Sequence, residues 1–485
     1  MTDKPLRGSE NSVQIPYIPH SIPTSMNDPQ TKNVARRSGS WRTRSLLFRA
    51  VFYPLPFDER QFVWFVMLAL SVVYVSRYAL TNPFVDEWEF IPVLLQEKPG
   101  LPWLWELHNE HRFPLPRAIY LSLFRLTGNL RIGCFISLAG MSLLALGWMS
   151  LAARIRGRPS ICDAVFPLLL MHPGQGENLY MGYQMCFMLM AVLACMLMWV
   201  MVKFNGQDAF RRAVAATLVG WLLLLCGAGG LAYGVAAAAW VALLAIRGGM
   251  KLWQRGLLLS LVAMTPLYIA ICFQDYVRPG HHPPSAGMYE SLRVGLQAQS
   301  MAFGPSATGL WPVIGIAVLL VAAVVIALLA SSAIRDLRSV GLLLFVLAGG
   351  AVSFGIGWGR SGFQNDMGFA WRYGWIVFPP VAAAYFAWLL RGGRVSIYGP
   401  AVLFIVAVCV TPVNVISAFH DAETKLLVSE QAWEADVRSG LTADQMIAKH
   451  FPNYHEPLRS KMANALRLMR DRRYTYYESL GREHP

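Results

Sequence analysis

Four short polar runs, each beside an apolar stretch, hold the side chains best suited to chemistry. The first is Phe84-Val85-Asp86-Glu87-Trp88-Glu89. Its adjacent carboxylates, Asp86 and Glu87, suit a general base, a cation site or a metal ligand at a water–lipid boundary. A solvated acidic loop start has the same composition. The second run is His108-Asn109-Glu110-His111-Arg112. In a helix His108 and His111 share a face with Arg112 close by, and with Asp86 or Glu87 they complete an acid/base pair or a metal site. The competing reading is a helix start facing solvent.

The third run gathers Gln175, Glu177, Asn178, Tyr180 and Gln184 between two apolar segments. Amides at a membrane boundary face a cavity when no partner satisfies them, although Asn178 also suits a helix cap. The fourth holds Arg360, Asn365, Asp366, Arg372 and Tyr373. Arg372 opens a spanning segment on the side that carries few cations, so it needs a counter-charge, and a phosphate is a natural one. Snorkelling to lipid headgroups is the alternative. His281 and His282, followed by two prolines, lack ligand spacing and read as exposed loop. Walker A, GxSxG and HExxH patterns are absent.

The elements that position these runs follow from composition. The chain has 485 residues, 55% hydrophobic and only 14% charged. A soluble domain carries about 25% charged residues, and apolar runs of the roughly 20 residues that cross a bilayer recur throughout. The net charge of +14 comes from short clusters at the ends of those runs, which is a topology signal and not a nucleic-acid stripe. The seven cysteines lie in apolar segments without a CxxC pair, so neither a disulfide framework nor a zinc site is expected.

Residues 1–61 read as a basic, disordered cytoplasmic arm with no apolar signal-peptide core. Eleven transmembrane segments are expected over 62–418, near 62–80, 132–153, 161–173, 179–202, two within 213–246 broken at GAGGLAYG, 254–273, 311–333, 339–358, 371–390 and 397–418. Basic clusters such as Arg154, Arg156 and Arg158 or Arg335 and Arg338 mark the inside. Two large outer loops follow, 81–131 and 274–310, the first with an amphipathic interfacial helix at 114–127. The tail, 419–485, reads as a small outer-face appendage with an amphipathic helix at 457–470. The fold class is an all-α polytopic membrane protein.

The order of these features resembles the GT-C membrane glycosyltransferases, in particular an uncharacterised bacterial branch of the protein-mannosyltransferase and aminoarabinose-transferase type. The elements that carry it are Asp86-Glu87-Trp88, Glu110-His111-Arg112, Glu177-Asn178-Leu179 through Gly182 to Gln184, and Arg372-Tyr373, spread over most of residues 60–420. An HPPL-type element of mannosyltransferases is replaced by HNEHRFPLPR. The resemblance implies a polyprenyl-phosphate sugar donor at the outer face, an acceptor glycan, lipid or protein, and residence in the bacterial inner membrane. It implies Asp86 as base, with Glu87 as its alternate, and Arg372 with Arg360 or Arg112 on the leaving phosphate. A divalent metal is compatible with this chemistry without being required, and no metal ligands are assigned. A transporter or flippase of a lipid-linked intermediate would need polar residues along a path through the bilayer, and few ionisable residues fall in mid-segment. An acyltransferase or glycan ligase would keep the outer arginines without needing Asp86.

Overall fold

A computed structural model describes residues 58–482 apart from 281, 334–335 and 364–365. Most of the basic arm, together with His281, Arg335 and Asn365, therefore lies outside the described residues. The longer helices are α1 (Glu59–Tyr78), α2 (Pro114–Thr127), α3 (Ile132–Arg156), α4 (Met185–Val202), α5 (Ala209–Leu224), α6 (Ala228–Arg247), α7 (Leu252–Cys272) and α8 (Met288–Ser300). They continue with α9 (Val313–Ala333), α10 (Leu337–Arg360), α11 (Pro379–Arg391), α12 (Val395–Asp421), α13 (Leu427–Arg438), α14 (Ala443–His450) and α15 (Glu456–Asp471).

Local chemistry fixes where these helices begin and end. Asp58 caps α1 by accepting from Arg60 N and Gln61 N, while Gln61 answers to the Asp58 N–H, a reciprocal capping box. Pro114 and Pro116 open α2, where missing N–H groups cost nothing, and Gly128 at φ +66° closes it in the left-handed region. The break between α5 and α6 falls at Gly227, at the start of the expected glycine run. There the two backbones come so close that a Cβ on Gly230 would lie 1.8 Å from the Leu223 carbonyl oxygen.

Nine helices among the described residues are long and apolar enough to cross a membrane. The chain is an all-α polytopic membrane protein, with nine of the eleven expected crossings at spanning length. The other two are shorter. The expected third segment is the apolar helix Ile161–Leu170, and the first half of the glycine-split run is α5, with 16 residues. The last segment overshoots its expected end, because α12 continues through a π turn at Ala422–Leu426 into α13. The resulting 44-residue run, Val395–Arg438, is roughly twice a bilayer crossing and carries the tail with it.

Burial sorts the helices into centre and rim. The span Tyr373–Arg391 is 83% buried within the protein, whereas Leu252–Cys272 is 11% buried. α7, α9 and α12 present Leu257, Leu259, Leu319, Leu320, Ile405 and Val408 outward, an apolar surface suited to lipid and far too large for water. The tail folds back on the first large loop. Trp88 of that loop packs at 5.8 Å from Trp433 and 6.5 Å from Phe451, and Lys461 of α15 reaches Glu89 at 2.9 Å.

Candidate functional site

The first and third polar runs are tied together through the backbone. Beyond α1 the Leu80 N–H donates to the Tyr180 carbonyl at 2.8 Å, and the Tyr183 N–H donates to Glu87 Oε1 at 2.9 Å. Glu87 also accepts from the Tyr120 hydroxyl at 2.9 Å and the Phe84 N–H at 3.2 Å. Full burial pushes its carboxyl up to about 7 despite those donors. Glu87, expected as the alternate base, is therefore a buried post with its oxygens occupied. It pins the turn that turns Asp86 outward.

Asp86 keeps 43% of its side chain accessible and lies 3.3 Å from His108 Nε2. Burial of its carboxyl by neighbouring atoms opposes ionisation, but the contact with His108 and the charges of His108 and Arg372 outweigh it and hold the pKa below the usual carboxylate range. His108 is itself buried, which alone would lower its pKa. Asp86 and Glu89, the latter 3.4 Å from Nδ1, reverse this and raise it to about 9. At neutral pH the imidazole is a cation between two carboxylates. Both contacts are ion-pair distances rather than aligned hydrogen bonds, and Nε2 has no hydrogen-bond partner among the described residues. Glu89, which the sequence did not single out, is held near 2, chiefly by His108.

The second run is not helical. The His108 N–H donates to the His111 carbonyl at 2.8 Å and the His111 N–H returns to the His108 carbonyl at 3.0 Å, with Asn109 at φ +51°. This tight turn separates the two imidazoles that a helix would have aligned. His108 goes to Asp86, while His111 sits 3.8 Å from Glu110 and is held to about 4 by burial, reinforced by the Arg360 charge. Glu110 in turn is hydrogen-bonded to His282 Nδ1. His282 is buried and joins the site from a loop 172 residues away, which corrects the exposed-loop reading.

Arg112 does not face the cluster as a free cation. Its guanidinium donates to the carbonyls of Trp105, Cys272 at 3.2 Å and Gln274 at 2.6 Å, clamping the loop to the end of α7. Arg117 behaves similarly, bonded to the Trp103 and Glu106 carbonyls and lying 4.7 Å over the Trp103 ring.

The third and fourth runs meet at Arg372. Its Nη1 lies 2.8 Å from Glu177 Oε2, with 28% and 22% of the two side chains accessible. Its charge also bears on Asp86. Asn178, expected to face a cavity, is fully buried, and its amide donates to the Arg372 carbonyl at 3.2 Å. Gly176 makes this approach feasible, since it takes φ +45° and a Cβ there would lie 2.1 Å from Trp371. Gln184 is buried too, and its Oε1 has no partner among the described residues. Tyr373 is buried under the Arg372 guanidinium, 5.4 Å from its ring centroid. Arg360, at the end of α10, lies over Phe363 and has no carboxylate partner among the described residues, although its charge reaches Glu110 and His111.

Asp86, Glu89, His108, Glu110, His111, Glu177, Arg360 and Arg372 thus gather at one end of the bundle. Among the described residues no group of three or more His, Cys, Asp or Glu is arranged to hold a metal ion. No protein-family model, curated protein or solved structure matches the chain.

Proposed function

We propose that the protein is a membrane glycosyltransferase that moves a sugar from a polyprenyl-phosphate donor to an acceptor hydroxyl at the Asp86 end of the bundle. The observation that carries this reading is a half-open carboxylate, Asp86, at the same end of the bundle as Arg372, a cation that Glu177 holds at 2.8 Å. Asp86 takes the acceptor proton as the acceptor oxygen bonds to the anomeric carbon. The bond from that carbon to the phosphate oxygen breaks, and its electron pair leaves with the phosphate. Arg372 receives the phosphate charge and exchanges Glu177 for it.

A carboxylate with a lowered pKa is a weak base, so proton transfer accompanies attack rather than preceding it. His108, a cation at neutral pH, holds Asp86 ionised and oriented, and Glu87 fixes the backbone beneath it. We assign Glu110, His111, His282 and Arg360, the polar groups that neighbour one another beside this pair, to acceptor binding. The phosphate of a lipid donor is a good leaving group, so its departure needs no general acid.

The test compares donors. Purified protein given labelled polyprenyl-phosphate sugar should transfer the label to an acceptor fraction, while labelled acyl donors should give none. Acyl transfer without sugar transfer would replace the proposal with an acyltransferase.

A further inference from the structure

The helices that carry the Asp86 cluster at one end carry a second set of charges at the other. α10 runs from Leu337 to Arg360, and the span Tyr373–Arg391 runs from beside Arg372 to Arg391. At 1.5 Å per residue, Arg338 and Arg391 lie roughly 30 Å from the proposed active end. Two clefts open there. One, of about 390 Å³, lies among α9, α10 and α11 with Leu328, Leu342, Arg338 and Arg391 in its wall. The other, of about 460 Å³, lies among α3, α4 and α11 and is lined by Leu151, Arg154 and Lys203. Arg338 and Leu390 line both, so the clefts adjoin. Each volume falls within the roughly 300–1,000 Å³ of small-molecule sites.

Among the described lining residues the cations outnumber the carboxylates. Asp336 is the one carboxylate among the described lining residues, and it is used as the cap of α10, accepting from Arg338 N at 3.0 Å, Ser339 N at 3.2 Å and the Ser339 hydroxyl at 2.9 Å. Arg338 donates through Nε to the Phe204 carbonyl at 2.7 Å and has no carboxylate on its amino groups among the described residues. Arg391 is exposed with neither an ion pair nor a hydrogen bond among the described residues. Burial, then the charges of Arg154 and Arg212, hold the Lys203 ammonium below its usual range. Basic residues at helix ends ordinarily spread into solvent. Here they rim concave walls of leucine, and a cationic rim over an apolar wall matches one kind of molecule.

We propose that the adjoining clefts bind an anionic phospholipid of the leaflet at that end, its phosphate between Arg338 and Arg391 and its acyl chains against Leu328, Leu342 and Leu390. The site is independent of the proposed reaction and lies away from its residues.

Native mass spectrometry and fluorescent-lipid titration of the full-length protein in neutral detergent test this with three probes, phosphatidylglycerol, phosphatidylcholine and inorganic phosphate. Phosphatidylglycerol should be retained severalfold more tightly than phosphatidylcholine, and inorganic phosphate should neither bind nor compete. Arg391→Gln, at an exposed position without a side-chain partner among the described residues, should keep the folded yield and weaken phosphatidylglycerol about fivefold, as should Lys203→Gln. Arg247→Gln, which removes a basic helix end outside both clefts, should leave the affinity unchanged. Equal retention of the two lipids, or equal weakening by Arg247→Gln, would reduce the site to general surface charge. Binding of phosphate alone would make it a free-anion site and overturn the lipid assignment.

Discussion

Asp163 and Asp86 are both carboxylates beside arginines at the ends of membrane helices, and they are finished in opposite ways. Asp163 Oδ1 accepts from the Tyr385 hydroxyl at 2.6 Å and Arg156 Nη2 at 2.9 Å, while Oδ2 accepts from Arg156 Nη1 at 3.0 Å, Arg60 Nη1 at 3.1 Å and Ser160 N at 3.2 Å. The group is fully buried and ties together α1, α3, α11 and the turn before Val165. Asp86 has one imidazolium beside it and an accessible face. A carboxylate whose lone pairs are all engaged fixes helix ends, whereas one with an unengaged face can accept a proton. α1 has Arg60 at one end and leads at the other to Leu80, bonded to Tyr180, so one helix carries both the lock and the frame of the site.

The sharpest way to break the comparison is at the lock. Asp163→Ala takes from Arg156 its one carboxylate among the described residues and leaves Arg60 to Asp58 alone, at 2.6 Å, and breaking such a buried network costs up to about 3–5 kcal/mol. Thermal melting in detergent should record a large drop in midpoint, with Asp163→Asn intermediate. An Asp163→Ala protein that melts like the wild type would remove the structural role. At the open end the pattern inverts. Arg372→Ala should cut transfer about 10²–10³-fold while the melting midpoint moves little, because Glu177 regains water.

Titration separates the ends further. His108 has its pKa raised in the fold from the ordinary 6.5 to about 9. Its ion pairs therefore stabilise the loop fully below pH 6.5, and that contribution fades as pH rises through about 9. Hydrogen exchange over 84–111 should quicken across this window, while the segment around Asp163 stays protected. Uniform exchange across both segments would contradict the assignment. The smallest effect is expected at the exposed Lys461–Glu89 pair. Lys461→Ala should change stability by about 0.2–1 kcal/mol or less, and a collapse of folded yield would show that the tail does more than cover the loop.

Much of this was legible in the residues. The spans, the amphipathic helix at 114–127 and the tail helix at 457–470 follow from apolar length and periodicity, and the structure has helices at Pro114–Thr127 and Glu456–Asp471. Arg372 stood out as a cation on the side that has few, and it does find a carboxylate, Glu177. The misses are tertiary. Nothing local tells that His282 meets Glu110, because loop sequence does not encode which distant loop lies opposite. The 108–112 run looked like a helix start, but a paired turn through Asn109 at positive φ replaced the helical face. Asp163 lies inside a short apolar segment, which masks it as a candidate. Its signal was present, since Ser160-Ile161-Cys162-Asp163 has capping-box spacing and follows three arginines. Glu87 could not be told from Asp86 by type, and only Tyr120, 33 residues on, and the Tyr183 N–H separate a buried post from an open base.

The proposed reaction rests most directly on Asp86, and Asp86→Asn is the measurement that reaches it. The substitution keeps the shape of the side chain, so the melting midpoint should stay near that of the wild type, while transfer of label from a polyprenyl-phosphate sugar should fall about 10²–10⁴-fold. Transfer at the wild-type rate in a normally folded Asp86→Asn protein would contradict the account and move the base elsewhere in the site.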